Sequence, residues 1–210
     1  MKKLILLILF LGVISVSFGQ LIPKVGMTVS NNTTFYNGTD FNYKWKTGFM
    51  VGIAYNKNLG KSGISVQPEL LFIQKGTNSE YMNGSEHWKA KIRINSFEVP
   101  VLFKYSFGKT TRFYLNVGPS FGLMIGGNYE STNISGSSDN SSGKLDEFKF
   151  TSENLNRRKD IGAQFGGGIV LANKVIIDIR YGLGLTYIKP LGISEKYSAL
   201  QLSIGIPLKK

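Results

Sequence analysis

The stretch VIIDIRYGLGLTYI, residues 175–188, places an aspartate and an arginine two positions apart inside an apolar and aromatic run. A parallel strand buried on both faces rarely tolerates such a pair. Sorting the residues by parity resolves the mixture. Ile177, Ile179, Tyr181, Leu183, Leu185 and Tyr187 fall on one face, and Asp178, Arg180, Gly182, Gly184 and Thr186 on the other. One face is oily along its whole length, and the other is charged or bare.

The same alternation recurs along the chain, in segments near the length of a tilted membrane strand. It picks out eight candidate strands, near 21–30, 47–57, 62–76, 92–107, 111–127, 159–172, 175–188 and 197–208. In the fifth, Phe113, Leu115, Val117, Pro119, Phe121, Leu123 and Ile125 oppose Tyr114, Asn116, Gly118, Ser120, Gly122 and Met124. The connections alternate as well. Residues 31–46, 77–91 and 128–158 are long and rich in Asn, Ser, Thr and Gly, whereas 58–61, 108–110 and 173–174 are short. Hairpins with two unlike ends are the pattern of outer-membrane barrels, which have short periplasmic turns and longer external loops. An extra strand at KLDEFKF, 144–150, could extend one hairpin above the membrane.

Parity does not say which face points inward, because a soluble lipocalin-like barrel would turn its apolar face in. The glycines decide. Gly118, Gly122, Gly162, Gly166, Gly168, Gly182 and Gly184 all lie on the polar side. Bare positions weaken an exposed strand face, but inside a narrow barrel they make room for large side chains from opposite strands. The expected fold is therefore all-β, an eight-stranded antiparallel up-and-down transmembrane β-barrel with its polar face inside. Asp178 and Arg180 then share the lumen with Glu69, Lys75, Glu98 and Lys104, three acids with three bases. Same-face neighbours on one strand are roughly 6.6 Å apart, so partners on other strands are favoured, and Arg180 is expected to engage Glu69 or Glu98.

The N-terminus, MKKLILLILFLGVISVSFGQ, has two lysines, an apolar run from Leu4 to Val16, and small residues at Ser17 and Gly19, the pattern of a secretory signal. Residues 1–19 are read as that signal and 20–210 as the barrel domain, exported to the bacterial outer membrane. The absence of cysteine excludes a disulfide scaffold and a lipid-anchored cysteine. The net charge of +12 is read as solvated lysine, since an exported chain without a basic reading motif does not point to nucleic acid.

Several stretches resemble the PorT-like outer-membrane β-barrel family of Bacteroidetes. They are ISVQPELLFIQKG (64–76), SFEVPVLFKYSFG (96–108), FYLNVGPSFGLMIGG (113–127) and DIGAQFGGGIVLANKVIIDIRYGLGLTYI (160–188), and the resemblance extends over nearly all of the chain after the signal. Glu98-Val-Pro100 followed by Lys104-Tyr105, the Gly118-Pro119-Ser120 step and the Asp178/Arg180 strand are the most specific pieces. The resemblance implies an eight-stranded outer-membrane barrel, most members having no known activity and a few belonging to type IX secretion and gliding machinery. It departs at IGIPLKK (204–210), where many such barrels end on an aromatic residue.

The search for chemistry is mostly negative. His87, the single histidine, sits in GSEHWK beside Ser85 and Glu86, but adjacency does not build a triad, whose members must converge in space. A lipid-modifying enzyme is the distant alternative. One histidine and no cysteine give no metal site, and no cofactor is expected. LGKS (59–62) and FGKT (107–110) lack the earlier glycine of a phosphate loop. Eight strands make a lumen that side chains fill, which disfavours a wide porin; a small-solute or secretion-associated channel is the nearer alternative. Trp45, Tyr81, Trp88 and Tyr129, with Phe35, Tyr36 and Tyr43, are expected on the external loops as anchors for a protein partner, a place in the aromatic girdle being the equal alternative for Trp45 and Trp88. Tyr55, Tyr105, Phe113 and Tyr187 are expected in the aromatic girdle. Lys57, Lys61, Lys109, Arg112, Lys174, Lys209 and Lys210 mark the short-turn side. The expected partners are outer-membrane lipid and a protein at the loops, and the expected state is a monomer.

Overall fold

The computed structural model describes residues 19–34, 42–83, 86–133, 141–144, 158–172, 174–188 and 195–208. Nine strands run through them: β1 (Gln20–Thr34), β2 (Asn42–Asn58), β3 (Ile64–Asn83), β4 (Glu86–Phe107), β5 (Thr111–Asn133), β6 (Ser141–Lys144), β7 (Lys159–Leu171), β8 (Val175–Gly184) and β9 (Glu195–Gly205). All pairings are antiparallel. The order β4-β3-β2-β1-β9-β8-β7-β5 closes on itself through β4–β5, a ring of eight, with β6 lying outside it against β5. Closure leaves no edge strand in the ring, the condition for placing a sheet in hydrocarbon.

The parity reading gives the orientation correctly. Asp178 and Arg180 are 2% and 1% exposed, whereas Ile179 and Leu183 on the opposite face are 51% and 41% exposed. The outward face carries Val25, Met27, Phe49, Val51, Leu70, Phe97, Phe103, Leu115, Phe121, Phe165 and Leu202, all well exposed. A soluble barrel would leave this belt in water at great cost; hydrocarbon removes the cost. At the short-turn end Tyr105, Phe107 and Phe113 form an aromatic row, with ring centroids 6.1 and 6.0 Å apart.

Glycine makes the lumen wide enough. A Cβ at Gly168 would come within 2.5 Å of the Tyr114 hydroxyl, and one at Gly166 within 2.8 Å of Arg180 Cγ. Both large side chains occupy the space that the missing methyl groups leave.

Three expectations require correction. The connections at 31–46 and 77–91 are not loops throughout, because β1 runs to Thr34, β2 starts at Asn42, and β3 and β4 continue to Asn83 and Glu86. Cross-strand pairs such as Glu80↔Lys89 and Asn78↔Lys91 carry the ladder beyond the apolar belt, since polar residues sustain a sheet when their neighbours across the strand suit them. The connection at 128–158 likewise starts only after Asn133, where β5 ends; a short strand, Ser141–Lys144, pairs with β5, and of the extra strand expected at 144–150, residues 145–150 lie outside the described ones. A register shift between Asn95 and Ser96 on the β4–β5 pair inserts Ile125 as an extra residue. The parity of β5 reverses beyond it.

Residues 1–18, within the expected signal, lie outside the described residues, as do Phe35, Tyr36, Asn173, Lys209 and Lys210.

Candidate functional site

Two regions gather the residues singled out in the sequence, the middle of the lumen and the wall above the belt. In the lumen, Arg180 of β8 reaches across to Glu69 of β3, Nη1 donating to Oε2 at 2.9 Å and Nη2 to Oε1 at 2.8 Å. In the ring β3 and β8 stand opposite one another, so this forked bond spans the barrel. Arg180 Nε also donates to Asp178 Oδ1. A planar guanidinium can serve two carboxylates at once in fixed directions, which an ammonium cannot do.

The remaining lumen groups fit around this bond. Lys24 of β1 donates to Glu69 at 3.2 Å and lies 3.7 Å from Asp178. Gln67 donates to Glu69 at 2.6 Å. Asp178 also accepts from the Tyr114 hydroxyl and from Asn116 at 3.2 Å. A second group is Lys75, which bridges Glu98 and Asp160, the latter at 3.1 Å. Gln164 joins the two groups, donating to Glu98 at 3.2 Å and accepting from Arg180 at 3.4 Å. Lys104 meets no carboxylate among the described residues. Its ammonium donates to Gln67 at 3.2 Å and sits 3.7 Å over the Tyr114 ring.

The structure thus brings Glu69, Asp178 and Arg180 into one cluster and Glu98 with Lys75 into another, and it leaves Lys104 on neutral partners. Lys24 and Asp160 were not singled out, although both occupy lumen parity on their strands. Arg112 shares the lumen face but stands at the short-turn end. With Lys24 and Asp160, the described residues of the network at the middle of the lumen include four acids, Glu69, Glu98, Asp160 and Asp178, and four bases, Lys24, Lys75, Lys104 and Arg180. Their formal charges cancel.

Apolar groups close the lumen on either side. Ile22, Ala54, Tyr114, Val170 and Ile176 pack toward the short-turn end, and Ile92, Ile94, Met124, Ile188 and Tyr197 toward the other. A vestibule of about 600 Å³ opens among the short turns, lined by Asn56, Lys61, Lys104 and Arg112 with Ile22 and Ile176. Its inner end is the apolar cluster.

On the wall, Trp45↔Thr77, Thr77↔Ile92 and Ile92↔Tyr129 are register partners, one row running across β2, β3, β4 and β5. Thr77 and Ile92 in this row are buried toward the lumen. Tyr129 packs on the Ile92 cluster; the expectation of a loop-borne Tyr129 fails because β5 continues to Asn133, and the bulge turns the side chain inward. Trp45 is 52% exposed. Trp88 is half-buried and pairs in register with Tyr81 on one side and Asn133 on the other. These residues are therefore carried by strands, on a rigid scaffold. The side chains of Tyr43 and Tyr81 lie outside the described ones. His87 is also on a strand, opposite Met82.

The model of the family described as "Outer membrane protein beta-barrel domain" matches residues 15–189. Among solved structures the chain is similar to Ail, the attachment invasion locus protein of Yersinia pestis, at 13% identity and a TM-score of 0.44, covering 91% of this chain and 99% of that one. It is similar to OprG from Pseudomonas aeruginosa at 11% identity and a TM-score of 0.46, covering 92% and 97%. For Neisserial surface protein A the values are 11% and 0.44, covering 90% and 97%. No curated protein gives a match.

Proposed function

Because the chain belongs to the outer-membrane β-barrel domain family and resides in the bacterial outer membrane, we propose that it acts there as a monomeric scaffold or binding protein, without an enzymatic centre, through the part that stands above the bilayer. The mature chain begins after residue 19. The finer kinship is with the PorT-like barrels, on the strength of Glu98-Val-Pro100, Lys104-Tyr105 and the Asp178/Arg180 strand.

The observation that carries this reading is the wall itself. β3, β4 and β5 run well past the apolar belt, and the wall exposes Trp45 on β2 and carries Trp88 on β4. Rigid aromatic side chains on a fixed sheet bind with little ordering cost, which is why Trp and Tyr dominate binding hot spots. A photo-cross-linking residue at Trp45 or Trp88 on intact cells is expected to trap defined protein adducts that the same residue at lipid-facing Leu115 does not. Identical adducts at all three positions would end the proposal.

One observation favours a second reading, a channel component: the vestibule is lined by Lys104, whose ammonium donates to Gln67 of the central network. Conduction requires the Arg180–Glu69 bond to open. Planar-bilayer recordings separate the readings, since the scaffold predicts no stable openings.

A further inference from the structure

The outward face of the wall is basic. Immediately above the Phe72–Phe97 edge contact, whose centroids are 5.9 Å apart, the surface turns polar at Gln74, which donates to Asn95 at 3.0 Å. The next pairs on the same face, at every second register position, are Gly76 and Arg93, then Asn78 and Lys91, then Glu80 and Lys89. Lys44 and Lys46 of β2 flank them; the Lys46 stem lies over Gly76, where a Cβ would be 3.0 Å from Lys46 Cδ. Four residues along a tilted strand place Arg93 about 10 Å above Phe97, at the outer side of a headgroup layer about 5–7 Å thick, within reach of its long side chain.

The charges there do not cancel as they do at the middle of the lumen. Glu80 is shared by Lys44 at 2.8 Å and Lys89 at 3.6 Å, and Glu130 lies 3.7 Å from Lys91. Lys46 and Arg93 have no carboxylate partner among the described residues. A cavity of about 200 Å³ is lined by Lys46, Lys91, Arg93, Asn128 and Glu130. Burial, and next the Arg93 guanidinium, hold the Lys46 ammonium below the ordinary lysine value, with Lys91 adding to the effect against Glu130. Three cations have been brought together around a space with one acid at its side.

We infer that this pocket binds the phosphate of an outer-leaflet lipid whose acyl chains lie on the apolar wall beneath it. The complementarity is that of an amphiphile: Phe49, Leu70, Phe97, Val99 and Phe121 are exposed below, and Lys46, Lys91 and Arg93 converge above. The occupant is a lipid and not free phosphate, because exposed cations hold a free anion weakly in salt. Acyl chains fixed against the barrel raise the effective concentration of the headgroup at the pocket. Glu130 opposes the phosphate and is expected to tune its affinity.

The test uses the full mature chain in phosphatidylcholine nanodiscs doped with bis-phosphorylated lipid A, the retained lipid being counted by native mass spectrometry. Wild type is expected to retain lipid A in preference to phosphatidylcholine. Lys46→Gln/Lys91→Gln/Arg93→Gln is expected to lower that retention on the order of 100-fold, given the worth of each cation near an anionic headgroup. Glu130→Gln is expected to raise it. A control, Lys57→Gln/Lys109→Gln at the short-turn end, is expected to match wild type. Retention by the triple variant within about threefold of wild type, or equal retention of phosphatidylcholine, overturns the inference. So does full displacement of lipid A by millimolar inorganic pyrophosphate, which would assign the pocket to a free anion. All the altered residues lie on the surface, and folding is checked by heat-dependent gel mobility.

Discussion

The lumen and the outer wall use the same residue types under opposite rules. In the network at the middle of the lumen four acids face four bases among the described residues, and Glu69, Glu98, Asp178 and Arg180 are each no more than 3% exposed. On the wall five cations, Lys44, Lys46, Lys89, Lys91 and Arg93, share two acids, Glu80 and Glu130, and the Lys91–Glu130 pair is 60% and 61% exposed. Burial explains the difference. A charge removed from water must be matched and hydrogen-bonded or it costs several kcal/mol, whereas a charge on the wall keeps its solvent and can remain in excess. Lumen charge is therefore bound up with stability, and wall charge is left over for recognition.

The largest expected effect tests that division directly. Arg180→Met leaves Glu69 with Lys24 and Gln67 alone and strips Asp178 of its closest cation, so unfolding in detergent is expected to become easier by about 3–5 kcal/mol. Arg93→Met on the wall is expected to change stability by no more than about 0.5 kcal/mol. Urea titrations of both variants, followed by tryptophan fluorescence, decide it. Equal shifts would erase the distinction.

Glycine gives a second, smaller contrast inside the lumen. At Gly168 an added methyl runs first into the Ile177 carbonyl oxygen of the neighbouring strand and then into the Tyr114 hydroxyl at 2.5 Å, which is bonded to Asp178. At Gly182 the nearest atom is Gln201 Nε2 at 3.4 Å. Gly168→Ala is expected to cost about 1–3 kcal/mol, as overpacking does. Gly182→Ala is expected to be neutral or slightly stabilising, because alanine loses less backbone entropy on folding. If both cost the same, bare lumen positions are not there to house particular side chains.

The fold was legible in the sequence because a membrane barrel repeats one rule, and period-two alternation needs no knowledge of tertiary structure. Lumen membership of Glu69, Lys75, Glu98, Lys104, Asp178 and Arg180 followed from parity for the same reason. Pairing did not. Choosing Glu69 over Glu98 for Arg180 depends on the vertical stagger between opposite strands, which parity leaves undetermined, and Gln164 takes the place beside Arg180 that Glu98 could have filled. Lys24 was overlooked although the same test places it inward with Thr28 and Ser30. Tyr129 was misplaced by one inserted residue, since a bulge reverses every later side chain. The height of the wall escaped as well, because polar strands above the bilayer lose the oily half of the alternation and look like loops.

The smallest expected effect separates the two regions most sharply. Raising salt from about 0.1 M to 1 M shortens the screening length from about 10 Å to 3 Å. Wall pairs such as Lys44–Glu80 and Lys91–Glu130 lie in solvent and are screened, but each contributes little, so wild-type stability is expected to move by no more than about 0.5 kcal/mol. The lumen pairs are enclosed by protein on every side and are screened far less. The stability gap between wild type and Arg180→Met is therefore expected to be unchanged at high salt, while retention of the phosphorylated lipid falls steeply. A gap that closed with salt would mean that ions enter the lumen freely. The Arg180–Glu69 bond would then be an open gate, and the channel reading would displace the scaffold.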